Sequence, residues 1–394
     1  MSHQIKQDLD VTFSRDEMSR QGFVTGTRTY VLNDLAGHLR TTYERKVKPK
    51  AKKPAKDGPT IHKAMKPETM FKFYSAMRCN AQEMVWRSVL PGIEREAEDL
   101  AARAEQIVGA SGNNETTVTL DPNFKVPRSI AELDVHLMPG AYAEEGFAGD
   151  VSQGALYEHG LAVFLMGMWG PDKDDAGRSA ANYLKARFPT FAPTRMLDIG
   201  CTIGFHTLPW QKTYPDLAID AIDPCAPNLR YAAARTRLKG HKAHFHQMAG
   251  QDLKFADETF DIVWSSQVLH EVPIADAQQM MRECYRVLKP GGLMIHQDLP
   301  PNSALGPYEQ FYLDWDAYYN KEPYYKKFRD TDLTALIVKG GFAKDKIFQY
   351  GIPSSHGHGA QAVRDAGADA TSTLRGNVGR LEPGMRWFTF GAWK

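Results

Sequence analysis

Two hydrophobic periods divide the chain. Between His62 and Val108, Met70, Phe73, Tyr74, Met77, Met84 and Val85 recur at three- and four-residue spacing, and "IEREAEDLAARAEQI" is rich in helix formers. That pattern predicts helices, with Pro91-Gly92 dividing the stretch in two. A polar loop over "GASGNNETT" follows, then helices over 150–169 and 175–187. From Thr194 the texture changes. Apolar runs at "RMLDI", "LAIDAI", "AHFHQM", "FDIVWSS" and "GLMIHQD" alternate with helical segments near 204–214, 226–239 and 275–288. Such alternation implies parallel pairing, right-handed crossovers and ligand binding at the carboxyl ends of the strands. An aromatic-rich insertion at about 299–330 precedes a helix over "TDLTALIVKGG". Two strands without an intervening helix, "KIFQYG" and "MRWFTFGAW", predict an antiparallel finish.

The expected fold class is α/β: a Rossmann-like, doubly wound, seven-stranded, mostly parallel sheet behind a mostly helical N-terminal region. Three parts are expected. Residues 1–60 form a basic, flexible segment, 61–190 a helical cap on the substrate side, and 191–394 the sheet domain with its insertion.

Composition narrows the picture a little. With 394 residues, 42% hydrophobic and 24% charged, the chain has the make-up of a soluble globular protein. Its formal charge of +1 gives no global reason for a nucleic-acid partner. The run Leu161 to Met166 is far below the roughly 20 residues that span a bilayer. "MSHQIKQDLDVTF" lacks the apolar core of a secretory signal. Cys79, Cys201, Cys225 and Cys284 form no CxxC pair, which points to reduced thiols, a cytoplasmic location and no structural zinc. From Arg45 to Lys56, "RKVKPKAKKPAK" carries seven Lys/Arg, two Pro and no acid, so charge repulsion should keep it extended. It has no interleaved aromatics, and nucleic acid is not the expected partner.

The chemistry concentrates at "MLDIGCTIGFH", residues 196–206, a strand running into a glycine turn. A dinucleotide fingerprint needs G-x-G-x-x-G, and a P-loop needs a following Lys-Ser/Thr; neither is present. Asp198 ends the first strand, and Asp223 ends the second, 19 residues after Gly204. An acid at that distance is placed to accept both hydrogen bonds of a ribose diol. Two acids and a small turn suit an adenosine ribose with a cationic amino-acid end and no phosphate, which is S-adenosylmethionine.

From Thr194 to Gln297 the chain resembles the catalytic domain of class I S-adenosylmethionine-dependent methyltransferases, particularly the small-molecule branch related to quinone-biosynthesis enzymes. "LDIGCTIG" resembles the first motif and "IDAIDP" the acidic second. "GQDLKFADETFDIVWSSQVLHEV" resembles the adenine loop and fourth strand, and "ECYRVLKPGGLMI" the turn before the fifth. The resemblance implies that Gly200, Cys201 and Gly204 bed the amino-acid moiety while Asp198 faces its ammonium. It implies that Asp223 holds the ribose, Pro224 and Asn228 lie beside the adenine, and Gly250, Gln251 and Asp252 line its edge. Ser265 would offer backbone near the methionine part. Thr202 stands where the family often has a glycine, and Ala249 where it often has an acid.

Candidate catalytic residues cluster at the ends of the fourth and fifth strands: His270 and Glu271, then His296 and Asp298. A histidine oriented by a carboxylate can take a proton from an alcohol or phenol. A packed histidine beside the cofactor at 270 and a hydrogen-bonded core histidine at 296 are the bland counterparts. No metal site is expected, because the spacing of His270, His296, Asp298 and Glu309 is not diagnostic. In the insertion, Tyr308, Phe311, Tyr312, Trp315 and Tyr319 fall on one helical face. That face packs on the N-terminal region or, through Tyr308, Tyr312 and Trp315, reaches a substrate. "SSHGHGA" (354–360) reads as a flexible loop.

The expected activity is methylation of a small-molecule acceptor, releasing S-adenosylhomocysteine, in a pocket closed by the N-terminal helices and the insertion. Oxygen is the first choice of accepting atom. Nitrogen or sulfur is second, supported by the aromatic and acidic insertion, and an RNA or protein substrate held by 45–56 is third. The oligomeric state stays open, a homodimer included.

Overall fold

The computed structural model describes residues 8–110, 115–369 and 385–394. Positions 1–7 of the expected basic segment and 111–114 of the expected polar loop lie outside the described residues. The sheet has eight strands: β1 (Thr117–Thr119), β2 (Arg195–Ile199), β3 (Ala218–Asp223), β4 (His244–Gln247), β5 (Phe260–Ser266), β6 (Leu288–Asp298), β7 (Ile347–Pro353) and β8 (Arg386–Trp393). Their order is β1-β4-β3-β2-β5-β6-β8-β7, parallel from β1 through β6, with β8 antiparallel to both its neighbours. Seven strands correspond to the apolar runs, including the antiparallel finish. The eighth, β1, is three residues long and sits on the edge beside β4. So short an edge strand leaves little hydrophobic pattern to read. Among the described residues no helix is long and apolar enough to cross a membrane.

The N-terminal region departs most from expectation. Residues 15–50 are not a flexible tail but a nearly continuous helical run. Ser14 opens it with a capping box, accepting from Glu17 N–H at 3.2 Å while its own N–H donates to Glu17 Oε2 at 2.7 Å. Val31, Leu35, Leu39, Tyr43 and Val47 are buried at strict four-residue spacing. An ideal α-helix would turn such a row by about 40° at each step. Two π-helical turns, Val31–Leu35 and Tyr43–Val47, take up the drift and hold the row on one face. Even the basic stretch is engaged: Lys46 pairs with Glu68 at 2.5 Å and Lys48 with Glu44 at 2.7 Å.

Pro91-Gly92 does not divide the next segment either. Thr69–Gly109 is one helix of 41 residues with Pro91 inside it. Val85, Trp86, Val89 and Ile93 are buried on both sides of the proline, and this packing outweighs the lost backbone bond. Gly92 is a docking point: a Cβ there would lie 2.6 Å from the Phe13 ring. The expected helix at 204–214 shrinks to Pro209–Thr213, because the turn ahead of it is irregular. "SSHGHGA" begins with a helical turn, Ser355–His358, capped by Ser354 and tied to Ser179 by the Ser355 N–H at 2.8 Å.

The insertion helix Pro307–Tyr319 lies on this N-terminal half. Its Tyr308, Phe311 and Trp315 join Val31, Leu39, Tyr43, Ile61, Phe71 and Tyr74 in a separate hydrophobic core. The N-terminal helices and the insertion thus form one wall above the carboxyl ends of the strands. Leu39 is fully buried in that core. Leu39→Ala should therefore lower unfolding free energy by roughly 2–5 kcal/mol, read from urea denaturation, whereas a flexible segment would show no change.

Candidate functional site

The turn after β2 is held by main-chain geometry. Gly200 and Gly204 have φ of 73° and 79°, and a Cβ on Gly200 would fall 2.5 Å from Val268. Thr202, where the family often has glycine, also takes a positive φ of 49°. For a β-branched residue this is strained backbone, retained because its surroundings hold it. The constraint is Asp223: its Oδ2 accepts from Thr202 N–H at 3.0 Å and its Oδ1 from Cys225 N–H at 2.9 Å. Asp198 is buried at the end of β2 and accepts from Thr207 Oγ1 at 2.5 Å. Burial pushes Asp198 up to about 7 and Asp223 up to about 6, the hydrogen bonds resisting in both cases.

A cavity of about 590 Å³ opens over this turn. Of the sequence-predicted residues, Asp198, Gly200, Cys201, Asp223, Pro224, Asn228, His270, Glu271, Tyr308 and Tyr312 line it. A crevice of about 40 Å³ adjoins it, lined by Gly250 and Gln251 with Pro224, Ile199 and Met248. Both side-chain amide atoms of Asn228 are buried without a hydrogen-bond partner.

Five predicted residues are elsewhere. Gly204 shapes the turn from outside the cavity lining. Asp252 is exposed and pairs with Lys254 at 2.5 Å. Ser265 is fully buried and bonds His296 Nδ1 at 2.6 Å, and Ser266 lines the cavity instead. His296 lies inside β6, where burial pulls it down to about 4, so it is a core residue and not a catalytic one. Trp315 packs between Phe71 and Tyr74, with ring centroids 5.4 and 4.9 Å away, and its burial is structural.

The titratable groups in the wall form two assemblies. His270 Nδ1–H donates to Asp298 Oδ1 at 2.6 Å, and Asp298 is itself fixed by the N–H groups of Leu269 and Leu299. Burial opposes charge on His270, but Asp298, with Glu271 and Glu322 further off, outweighs it and raises the imidazole to about 9. Glu271 faces a residue the sequence did not single out. His136 Nε2 lies 3.0 Å from Glu271 Oε1, and its Nδ1 lies 3.0 Å from Glu322 Oε1. Against burial, these two carboxylates raise His136 to about 10. Its backbone is left-handed, φ 59°, and its carbonyl accepts from Gln82 Nε2 and Trp86 Nε1 at 2.8 and 2.7 Å. This is strained backbone held in place by its hydrogen bonds.

The acids of the insertion are already answered. Glu309 pairs with Arg40 at 3.2 Å, Asp314 with Arg329 at 2.8 Å, and Asp316 with Arg78 at 2.6 Å, while Glu322 meets His136. Glu322 shares the single His136 cation with Glu271, and its Oε2 is buried without a hydrogen-bond partner. Among the described residues no group of three or more His, Cys, Asp or Glu is arranged to hold a metal ion.

Comparison with known proteins bears on this crevice. The family model described as "Methyltransferase domain" matches residues 197–296, the segment running from β2 to β6. The chain carries a class I S-adenosylmethionine-dependent methyltransferase domain. Residues of the domain are 32% identical, over 136 residues, to a malonyl-[acyl-carrier protein] O-methyltransferase of Dechloromonas aromatica, covering 33% of this chain and 47% of that protein. A ubiquinone biosynthesis O-methyltransferase of Rhizobium etli is 31% identical over 101 residues, 26% of this chain and 39% of that protein. The chain therefore spans less than half the length of these relatives. A solved structure of a putative O-methyltransferase from Nostoc punctiforme covers 91% of this chain and 95% of its own, at 13% identity and a TM-score of 0.40. At that score the likeness carries no argument.

The domain's cofactor fits the residues present. The two unpartnered amide atoms of Asn228 offer a donor and an acceptor, and Asp198 and Asp223 offer negative charge beside a turn bare of side chains at Gly200. Without ligand, a buried Asp198 with a raised pKa stabilises the fold below the ordinary carboxylate range and loses that contribution as pH rises through about 7. Asp198→Asn should thus stabilise the ligand-free protein by a few kcal/mol at pH 8, by clearly less at pH 5 and not at all near pH 3, measured by urea unfolding at the three values.

Proposed function

We propose that this chain transfers the methyl group of S-adenosylmethionine to the oxygen of a small-molecule acceptor bound in the cavity above β2, β5 and β6. The supporting observation is that one cavity joins the glycine turn, with its two buried carboxylates, to the His270–Asp298 pair. The printed names of the two relatives, both O-methyltransferases, agree with this choice.

Bound S-adenosylmethionine would supply an electrophilic methyl group on a sulfonium sulfur. Asp223 would hold the ribose hydroxyls and Asp198 the ammonium, with Gly200 and Cys201 bedding the amino-acid chain. Pro224, Asn228, Gly250 and Gln251 would surround the adenine. His270 Nε2 would hold the proton that the acceptor hydroxyl gives up, the donor leaving as S-adenosylhomocysteine. Asp298 would keep Nδ1 protonated and the ring in place. Glu271, clamped by His136, would stabilise the charge that develops on His270, whose Nε2 lies 4.0 Å from Glu271 Oε1. Tyr308 and Tyr312 would exclude water from the acceptor side.

Two outcomes follow. Asp223→Ala should weaken S-adenosylhomocysteine binding by roughly 1.5–3 kcal/mol in calorimetry, the range for hydrogen bonds to a charged group. For the base, only neutral imidazole accepts a proton, and Asp298 holds His270 charged up to about 9. kcat/KM should rise with pH until about 9 and then level. His270→Ala should abolish that limb, and Asp298→Asn should move it to lower pH. A limb unchanged in both variants would remove His270 from the reaction.

A further inference from the structure

On the side of the cavity built by the N-terminal helices stands a buried cation that forms no ion pair with a carboxylate among the described residues. Arg28, on helix Arg15–Tyr30, is 1% exposed and lines the cavity. Its Nε donates to the Phe164 carbonyl at 3.2 Å and its Nη1 to Gln82 Oε1 at 2.7 Å, while its guanidinium carbon lies 4.4 Å over the Phe164 ring. Nη2 is buried and has no hydrogen-bond partner. The neighbouring Arg78 differs on this one point. It shares the same Gln82 oxygen at 2.9 Å, but Asp316 answers its charge through bonds of 2.6 and 3.0 Å.

Desolvating a cation without a counterion costs several kcal/mol. Burial, with Arg78 alongside and Asp316 opposing, pulls Arg28 down to about 9, which still leaves it charged at neutral pH. Three anchors aim the group: the Phe164 carbonyl, the Phe164 ring and Gln82. Gln82 is fixed in turn by its bond to the His136 carbonyl. A fork so anchored, with one buried nitrogen still lacking a partner beside the cavity, has the chemistry by which arginine recognises a planar or tetrahedral anion.

We propose that Arg28 Nη2 is the anion-recognition group of the acceptor site, and that the methyl acceptor is a small molecule carrying a carboxylate or phosphate group. The proposal rests on the methyl-transfer reading of the same cavity.

The test is calorimetry on the full chain saturated with S-adenosylhomocysteine. Two matched pairs of probes are titrated, 4-hydroxybenzoate against 4-hydroxybenzamide and phenyl phosphate against phenol. One anion should bind roughly 10- to 100-fold more tightly than its neutral partner, and whichever pair shows the preference identifies carboxylate or phosphate. Arg28→Gln should bring that ratio close to one. Arg28→Lys, which keeps the buried charge and guards against a folding failure of the Gln variant, should leave an intermediate ratio. Equal binding of anion and neutral probe, binding of neither anion, or a preference that survives Arg28→Gln would each overturn the proposal. The first titration separates the two readings. No heat with S-adenosylhomocysteine defeats methyl transfer itself, whereas normal heat with no anion preference defeats only the role of Arg28.

Discussion

Asp223 reaches back from the end of β3 to the Thr202 N–H in the turn after β2, and forward to the Cys225 N–H at the exit of its own strand. One carboxylate thereby fixes two neighbouring loops, and it holds Thr202 in a backbone region that a β-branched side chain resists. The parallel pairing of β2 with β3 brings the two loops to the same edge. Burial of this acid and of Asp198 raises both above the ordinary carboxylate range. The crevice is therefore electrostatically unfinished, and a ligand with hydroxyls and an ammonium group completes it.

A second network joins the helical half of the chain to the sheet. Gln82 accepts from Arg28 and Arg78 and donates to the His136 carbonyl. His136 then meets Glu271, which follows β5, and Glu322, which follows the insertion helix. Five remote parts of the sequence converge on these bonds. The N-terminal helices thus line the cavity, and removing them would open that side of it to water.

What was legible in the sequence follows the range of the interactions. The central strands from "RMLDI" onward show as apolar runs because they are largely buried on both faces, and the glycine turn and Asp223 show because their spacing is local to one strand-helix-strand unit. Arg28, Gln82 and His136 leave no such mark. Arg28 and Gln82 are 54 residues apart, and Arg78 and Asp316 are 238 apart. The helical run at 15–50 did leave a signal. Val31, Leu35, Leu39, Tyr43 and Val47 recur every four residues, and Ser14 with Glu17 forms a capping box, but the lysines at 46–56 masked the end of the pattern. His296 and Trp315 show the reverse error. Residue types suited to chemistry were placed by packing, and burial alone decided their roles.

A structure of the complex with S-adenosylhomocysteine bears most directly on this arrangement. The ribose hydroxyls should lie within hydrogen-bonding distance of the Asp223 carboxylate, and the sulfur should face the space shared by His270 and Arg28. Density for the ligand at any other place, or a crevice over Gly200 that stays empty at saturating concentration, would contradict it.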